Sequence, residues 1–354
     1  MSIGAPRSKI LYLVAAEGNG HATRSAAIME RLKKDGHTII GVSEGNALKI
    51  IEPYCERVIE AATPHMEYRK NKVTAFGTLL INLVNFPRWI KDLISVKRLA
   101  KEFRPNLIIT DFNPMARFIH GAPIISIDNQ CVITQGDIDI PKGWKIECLK
   151  SKIVVRAFTR KTKLKLITTF FEVPIRLGSV RIGPIVSKKT HGLKTRQGSH
   201  ILVYQTSQSN IALAELLPKL GIEIKAYGFG RIGKTGKTTF LPFDREQWFK
   251  NLASCKAVII NGGYSLISEA LALKKPILSF PIGNQFEQAL NAHYLHKEGL
   301  GVWGKETTKE EIDKFIKMIP AIKSVISKKQ WGDGAQQAAD HINRYLAENT
   351  HRDS

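Results

Sequence analysis

Short apolar runs alternate with amphipathic segments along both halves of the chain. Buried strands are predicted at residues 9–15, 38–42, 106–110 and 123–127, and again at 200–204, 222–227, 257–260 and 276–280. Between the first two runs, residues 22–35 carry apolar side chains at helical spacing and stop at Gly36. Strands that alternate with helices form parallel sheets with helical crossovers. The pattern therefore predicts an α/β chain with two Rossmann-like, doubly wound domains that face each other across a cleft.

The restart of the pattern near residue 200 sets the expected domain boundaries. We expect an N-terminal domain at residues 1–186, a basic linker at 187–199 and a C-terminal domain at 200–330. The remaining residues, 331–354, contain a tail helix with Ala338, Ile342 and Leu346 on one face. That apolar face must pack on something, and we expect it to return across the linker.

The net charge is high. Lys and Arg outnumber Asp and Glu by 53 to 31, which gives +22 and favours a polyanionic partner. Basic residues are concentrated at 65–102 and 142–165, and the first of these regions contains the apolar stretch 73–89. A basic apolar segment is typical of a helix on an anionic membrane surface, but a core helix with solvated flanks has the same composition. Nucleic acid is not expected, because no nucleic-acid-binding motif is present.

Location is suggested by the cysteines and the apolar segments. Four scattered cysteines without a C-x-x-C pair fit a reducing cytosol. Residues 1–17 have only a short apolar run, followed by a loop, and this argues against a signal peptide. The stretch 73–86 is shorter than the ~20 residues that a membrane span needs. We expect a cytoplasmic protein that can bind peripherally to the inner face of the membrane.

The most informative segment is the strand-to-helix corner at residues 257–271. An apolar strand ends at Asn261, Gly262 and Gly263 turn the chain, and a helix begins near Ser265. Ligands of open parallel sheets bind at the carboxyl ends of strands, and a helix N-terminus offers N–H groups to a diphosphate. Glu269, one turn into the helix, can accept hydrogen bonds from both hydroxyls of a ribose. The alternative is an acid that only offsets the helix dipole.

A second strand-to-helix corner follows at residues 275–292. Glu287, Gln288 and Asn291 cluster at the start of its helix, where side chains can hydrogen-bond sugar hydroxyls. Read alone, the segment also fits an ordinary capped helix.

Together the two corners resemble the donor signature of the GT-B glycosyltransferases. The matching order is Asn-Gly-Gly-x5-Glu from Asn261, then Lys-Pro, Pro281 and Glu-Gln-x-x-Asn-Ala from Glu287. It is most similar to the branch with the UDP-glycosyltransferases and the peptidoglycan N-acetylglucosaminyltransferase. The resemblance implies a nucleotide-sugar donor, with Glu269 on the ribose, Gly262 and Gly263 on the diphosphate, and Glu287 with Gln288 on the sugar. It also implies that the N-terminal domain binds the acceptor.

Two departures from that signature shift the expected phosphate contacts. Asn261 stands where many members carry His, and Leu266 stands where many carry Ser or Thr. We therefore expect phosphate contacts from backbone amides and Ser265, together with Thr206 and Ser207 after the first strand of the second domain.

The N-terminal domain has its own glycine-containing loop after the first strand. Gly18 and Gly20 precede His21, which the resemblance places at the mouth of the cleft. An imidazole that titrates near neutrality suits a base that takes a proton from a hydroxyl acceptor. The resemblance implies a His–Asp pair, and Asp111, at the end of the strand 106–110, is the preferred partner. A helix cap at His21 and a turn residue at Asp111 are the alternatives.

Two further positions, Asp128 and Arg24, complete the expected N-terminal site, and one acidic motif is set aside. Asp128 is the reserve partner, expected on the acceptor side. Arg24 could steer a phosphate or an anionic acceptor, or could be an ordinary exposed arginine. Asp137 and Asp139 form a literal D-x-D, the metal signature of the other glycosyltransferase fold, but no nucleotide-binding strand precedes them. No metal or other cofactor is expected, because a helix dipole and backbone amides can stabilise a leaving diphosphate.

The expected function is transfer of a hexosyl unit from a nucleotide sugar, UDP by resemblance, to a hydroxyl, with inversion. A lipid-linked or cell-envelope acceptor would use the basic membrane-like segment. The alternatives are an epimerase or a silent relative on the same fold, and a basic nucleic-acid-binding protein.

Overall fold

A computed structural model describes residues 7–69, 71–206, 208 and 210–350 of the chain. The first half contains β1 Lys9–Val14, α1 Gly20–Lys34, β2 Thr38–Ser43, α2 Gly45–Ile51, β3 Arg57–Glu60, β4 Tyr68–Arg69, β5 Lys72–Val73, α3 Ala75–Phe103, β6 Leu107–Asp111, β7 Ile124–Asp128, α4 Val132–Gln135, α5 Lys145–Phe158, β8 Leu164–Thr168, β9 Ser179–Ile182 and α6 Lys188–His191. The second half contains β10 Ile201–Tyr204, α7 Ile211–Leu216, β11 Ile224–Tyr227, β12 Gly233–Thr235, β13 Thr238–Leu241, α8 Arg245–Ser254, β14 Ala257–Ile260, α9 Tyr264–Ala272, β15 Ile277–Ser279, α10 Phe286–Lys297, β16 Gly301–Trp303, α11 Lys309–Lys328 and α12 Gly334–Thr350. Short 3₁₀ helices lie at Glu52–Tyr54, Pro114–Phe118 and Leu217–Leu220.

Each half builds one seven-stranded sheet. The first has the order β3-β2-β1-β6-β7-β8-β9, and every neighbouring pair is parallel. The second has the order β12-β13-β11-β10-β14-β15-β16, parallel except for the edge pair β12–β13. The central strands are buried on both faces, which explains why they appear in the sequence as continuous apolar runs. The predicted pair of Rossmann-like domains is confirmed.

The strand order fixes where ligands can bind. It reverses direction between β1 and β6 in the first sheet and between β10 and β14 in the second. Ligands of open α/β sheets bind at such switch points, beyond the carboxyl ends of the strands. His21, Thr206 and the Gly262 corner follow β1, β10 and β14, and Asp111 is the last residue of β6.

The tail helix α12 packs on the N-terminal half. Ala338 and Ile342 are fully buried, and the helix contacts α1 and β9. Arg31 on α1 and Asp333, just before α12, form an ion pair of 2.7 Å. The last helix of the chain thus returns to the first domain and holds α1, the helix that carries His21.

Candidate active site

His21 and Asp111 are brought together by the first sheet. The loop after β1 turns at Gly18, whose φ of 64° is readily adopted only by glycine, and α1 begins at Gly20. Nδ1 of His21 lies 2.7 Å from Oδ1 of Asp111, although 90 residues separate them in the chain. His21 keeps 12% of its side chain exposed, whereas Asp111 is fully buried.

Arg24 lies beneath this pair. Its Nε donates to Oδ2 of Asp111 at 2.7 Å, and its Nη2 donates to Oδ1. Burial alone would raise the pKa of Asp111, but the charge of Arg24 and the contact with His21 outweigh it and lower that pKa below its ordinary value. Asp111 is therefore ionised at neutral pH. Arg24 is only 2% exposed, so the alternative of an ordinary exposed arginine is wrong.

The residue after Asp111 is also unusual. Phe112 has a φ of 55°, a left-handed conformation that is uncommon for a bulky residue. Its ring lies parallel to the imidazole of His21 at 6.1 Å and contacts Phe158 at 5.0 Å. One face of the His21 site is therefore aromatic, and the sequence did not suggest Phe112 for this place.

Asp128 does not reach His21. Its Oδ1 accepts from the Cys131 backbone N–H at 2.6 Å, and its Oδ2 accepts from the Ser126 hydroxyl at 2.5 Å. Burial raises its pKa above the ordinary value. Both oxygens of Asp128 thus hold the turn after β7, and its place on the acceptor side stays a prediction.

The donor corner in the second domain is held by Asn261. Its Oδ1 accepts from the Thr206 backbone N–H at 2.8 Å, and its Nδ2 donates to Gln205 at 2.8 Å and to the Phe280 carbonyl at 3.2 Å. The ends of β10, β14 and β15 are thereby tied together. Thr206 itself is exposed, and Ser207, its expected companion, lies outside the described residues.

The two glycines of the corner have different surroundings. Gly262 has a φ of 100°, and a Cβ there would lie 2.7 Å from the Ser279 hydroxyl. A Cβ on Gly263, the residue before α9, would meet nothing within 4 Å. Packing and conformation thus require glycine at 262, whereas Gly263 borders open space at the N-terminus of α9.

The expected sugar-binding residues take part in the framework of the corner. Gln288 Oε1 accepts from the Ile282 backbone N–H at 2.9 Å, and Asn291 Nδ2 donates to the Gly262 carbonyl at 3.0 Å. The side-chain groups of Gln288 and Asn291 that remain for a ligand are the amide NH₂ and the amide oxygen, respectively.

Glu269 is a buried carboxyl group on α9, only 6% exposed. Burial raises its pKa from the ordinary 4.5 to about 7, against the opposing effects of the Arg245 charge and a hydrogen bond from Trp248. Both of these residues lie on α8, which follows β13 at the carboxyl edge of the sheet. A carboxyl group with a perturbed pKa at such an edge is typical of a functional site.

The two domains meet around these residues. A Cβ on Gly20 would lie 2.7 Å from the Ser265 hydroxyl, so the start of α1 approaches the start of α9 closely. Glu287, in the first turn of α10, accepts from Asn129 Nδ2 at 2.8 Å and from Gln130 Nε2 at 3.0 Å. Asn129 also accepts from Arg24 at 2.8 Å, which completes a chain of contacts from Glu287 to Asp111.

Asp139 of the D-x-D lies elsewhere on the domain interface. It accepts from His293 at 3.0 Å and from Lys297 at 3.1 Å, both on α10. These contacts give Asp139 a structural role between the domains.

Comparison with known proteins decides the family. The model of glycosyl transferase family 1 matches residues 8–320. The chain belongs to this family. As a GT-B glycosyltransferase it resembles the UDP-glycosyltransferases and the peptidoglycan enzyme, as its donor signature indicates.

Three relatives illustrate the likeness of this glycosyltransferase to others. A protein of Methanosarcina mazei described as an uncharacterized glycosyltransferase is 25% identical over 363 residues, which cover 92% of each chain. The UDP-N-acetylglucosamine–N-acetylmuramyl-(pentapeptide) pyrophosphoryl-undecaprenol N-acetylglucosamine transferase of Lachnospira eligens is 24% identical, over 86% of this chain and 88% of its own. The structure of a UDP-glucosyltransferase from Polygonum tinctorium matches with a TM-score of 0.66 at 14% identity, over 98% of this chain and all of that one.

Proposed function

We propose that this glycosyltransferase moves a hexosyl unit from a nucleotide diphosphate sugar to a hydroxyl acceptor, with inversion. The observation that carries the proposal is the close approach of α1, which carries the His21 of the His21–Asp111 pair, to the start of α9, where the glycine corner ends and whose next turn carries the buried Glu269. UDP is the preferred nucleotide because of the resemblance and because two of the relatives above are named for it.

The residues divide the chemistry between the two domains. Nε2 of His21 takes the proton of the acceptor hydroxyl, and the oxygen attacks the anomeric carbon as its bond to the diphosphate breaks. Asp111 stabilises the imidazolium that forms. The N–H groups at the start of α9 face the leaving diphosphate, and we propose that they serve as its counter-charge in place of a metal ion. Glu269 accepts from the ribose hydroxyls, and Glu287 with Gln288 contacts the sugar.

A thermal-shift screen tests the donor assignment. A ligand that binds only the folded state raises the melting temperature, and saturation at 100 times Kd stabilises by about 2.7 kcal/mol. We expect UDP-sugars to stabilise more than GDP-, TDP- or CMP-sugars. In the same screen His21→Ala should keep the stabilisation by UDP-sugars, and in a transfer assay the variant should be inactive. An epimerase would convert the donor without any acceptor, so product analysis separates that alternative.

We further propose that the N-terminal domain binds an anionic membrane surface, from which it takes a lipid-linked acceptor. The support is an exposed apolar surface on α3 and α5. Its members, here called the α3–α5 face, are Phe76, Leu79, Leu80, Leu83, Val84, Phe86, Ile90, Ile94, Ile146, Leu149, Ile153 and Val154. Phe76 is 79% exposed and Val84 is 71% exposed, so a core helix, the other interpretation of this segment, is wrong.

The two helices share one side of the molecule. Trp89 on α3 contacts Phe118 of the short helix at Pro114–Phe118, with ring centroids 5.7 Å apart. Arg117, the neighbour of Phe118, donates to the Ala157 carbonyl on α5 at 2.9 Å. Exposed basic side chains accompany the face, namely Lys91, Lys97, Arg98 and Lys101 on α3 and Lys145, Lys150 and Arg156 on α5.

Apolar side chains with basic neighbours match an anionic bilayer interface. In the part of the chain that the structure describes, no helix combines the length and hydropathy needed to cross a bilayer. We therefore propose adsorption to the surface of the bilayer.

A further inference from the structure

Arg24 is a buried charge that needs an explanation of its own. Its side chain is 3% exposed, and its guanidinium is already engaged by Asp111 on one side and by Asn129 on the other. Burying a cation costs stability unless it is paired well, and an arginine engaged in this way has little capacity left for an acceptor. Its role must lie in what it does to Asp111 and His21.

The hydrogen bonds of Asp111 show the first part of that role. A carboxylate has about four lone-pair positions. Oδ1 faces Nδ1 of His21 and accepts from Nη2 of Arg24, while Oδ2 accepts from Nε of Arg24 and from the Ser25 hydroxyl at 2.9 Å. All four positions are used, and two of the partners belong to one planar guanidinium. A lysine could not form this fork, so the orientation of Asp111 depends on arginine.

The second part is electrostatic. Nη2 of Arg24 lies 2.8 Å from Nδ1 of His21, as close as the carboxylate that this nitrogen also faces. A nearby carboxylate favours the protonated imidazole, and a nearby guanidinium disfavours it. The tautomer with its proton on Nδ1 donates to Asp111 and leaves the lone pair of Nε2 to act as base. The guanidinium of Arg24 therefore opposes the effect of Asp111 on the imidazole.

We propose that Arg24 is a positioning residue for the His21–Asp111 pair, one that fixes the carboxylate and keeps the imidazole unprotonated and able to act as base. The inference rests on the proposed function, because it assumes that His21 is the base.

Other ionisable groups face this cluster from neighbouring elements. The carboxylates of Asp128 on β7 and Glu287 on α10 act on the Arg24 guanidinium, which therefore interacts with three acidic groups in all. The phenols of Tyr12 on β1 and Tyr264 on α9 also face it. Burial raises the pKa of both hydroxyls well above the ordinary value, so both are neutral across the working pH range. Arg24 is thus the positive charge in contact with His21.

Two substitutions separate charge from geometry. Arg24→Met removes both, whereas Arg24→Lys keeps the charge and loses the fork. Imidazole ¹⁵N spectra, with the His21 signal identified by its loss in His21→Ala, follow protonation of His21 directly. In Arg24→Met we expect the midpoint of that titration to move to higher pH by about one unit or more, and the acid limb of the kcat/KM profile to move with it. In Arg24→Lys we expect less than half that rise, with kcat about tenfold lower and the donor KM unchanged.

The control is Arg31→Met, which removes another arginine of α1 from its ion pair and should leave both profiles in place. Profiles of Arg24→Met that superimpose on those of the parent would overturn the proposal. If that variant does not fold, a parent-like kcat in Arg24→Lys overturns it instead. The spectra need no sugar or acceptor, so they test Arg24 even if the reaction is misassigned. Failure of the proposed function has a different signature, namely transfer by His21→Ala at the parental rate.

Discussion

Glu269→Gln should stabilise the free protein at alkaline pH and, at the same time, remove most of its stabilisation by a nucleotide sugar. Burial raises the pKa of Glu269 from 4.5 to about 7. Between these values the folded protein holds a proton that the unfolded chain has released, so the stability contributed by this group is complete below pH 4.5 and declines as the pH rises toward 7. At about 1.4 kcal/mol per pH unit, the loss amounts to about 3 kcal/mol at pH 8.

Glutamine has nearly the same shape and no charge to desolvate, so it escapes this loss. For a domain of this size, 1 kcal/mol corresponds to about 2–4 °C in melting temperature. The variant should therefore melt about 6–12 °C above the parent at pH 8, in the transition of the C-terminal domain, and close to the parent at pH 4.5. Exposed Glu310, in the first turn of α11, provides a control. Glu310→Gln should be neutral or slightly destabilising at pH 8, because the helix dipole favours its ionised form.

The second half of the prediction concerns the binding of UDP-glucose and its dependence on pH. A ribose that donates two hydrogen bonds needs the ionised carboxylate, so UDP-glucose should bind the parent about tenfold more weakly at pH 6 than well above pH 7. The glutamine variant should lose most of the stabilisation by UDP-glucose at every pH. A variant that melts like the parent at pH 8, or that keeps the full response to UDP-glucose, would refute the assignment of a desolvated, ribose-binding Glu269.

Three further outcomes are expected. Asp111→Asn should lower transfer by about 10²–10⁴-fold in activity assays. It should also lower the melting temperature, because it leaves Arg24 buried without its charged partner, and an active, fully stable variant would contradict the pairing. Glu287→Gln should weaken binding of a UDP-sugar while leaving the affinity for UDP unchanged by calorimetry, and an equal loss for both ligands would place Glu287 away from the sugar. The double substitution Leu79→Asp and Leu83→Asp should abolish co-flotation with anionic vesicles. The control Leu177→Asp, at an exposed leucine outside the α3–α5 face, should not. Flotation that persists in the double variant would show that the α3–α5 face does not bind the membrane.

The fold was predictable because its signal is local. Both sheets bury their central strands on two faces, so continuous apolar runs marked β1, β6, β10 and β14 directly in the sequence. The edge strands β3, β9, β12 and β16 are short and partly exposed and carry no such pattern, and the sequence did not indicate them. The glycine corner was visible for the same local reason, since the strand end, two glycines and the acid lie within nine residues.

The parts of the site that the sequence did not reveal depend on distant contacts. Arg24 has an ordinary place on a helix surface by spacing alone, and only the fold brings Asp111, 87 residues away, to its guanidinium. Asn129 and Gln130 reach Glu287 across 158 and 157 residues. Composition could not decide whether the apolar side chains of α3 face a core or a bilayer, because both environments select the same residues. The exposure of side chains such as Phe76 and Val84 excludes a core position for the first half of α3, and binding to a bilayer stays a proposal.

The central claim is that the corner from Gly262 to Glu269 binds a nucleoside diphosphate. A crystal structure of the complex with UDP tests it most directly. The account predicts diphosphate oxygens within about 3 Å of backbone N–H groups at the start of α9, and both ribose hydroxyls within the same distance of the Glu269 carboxylate. A groove of about 860 Å³ lies elsewhere, lined by Lys219, Arg231 and Lys234 beside the β12–β13 hairpin. UDP bound in that groove, with the Gly262 corner empty, would contradict the account.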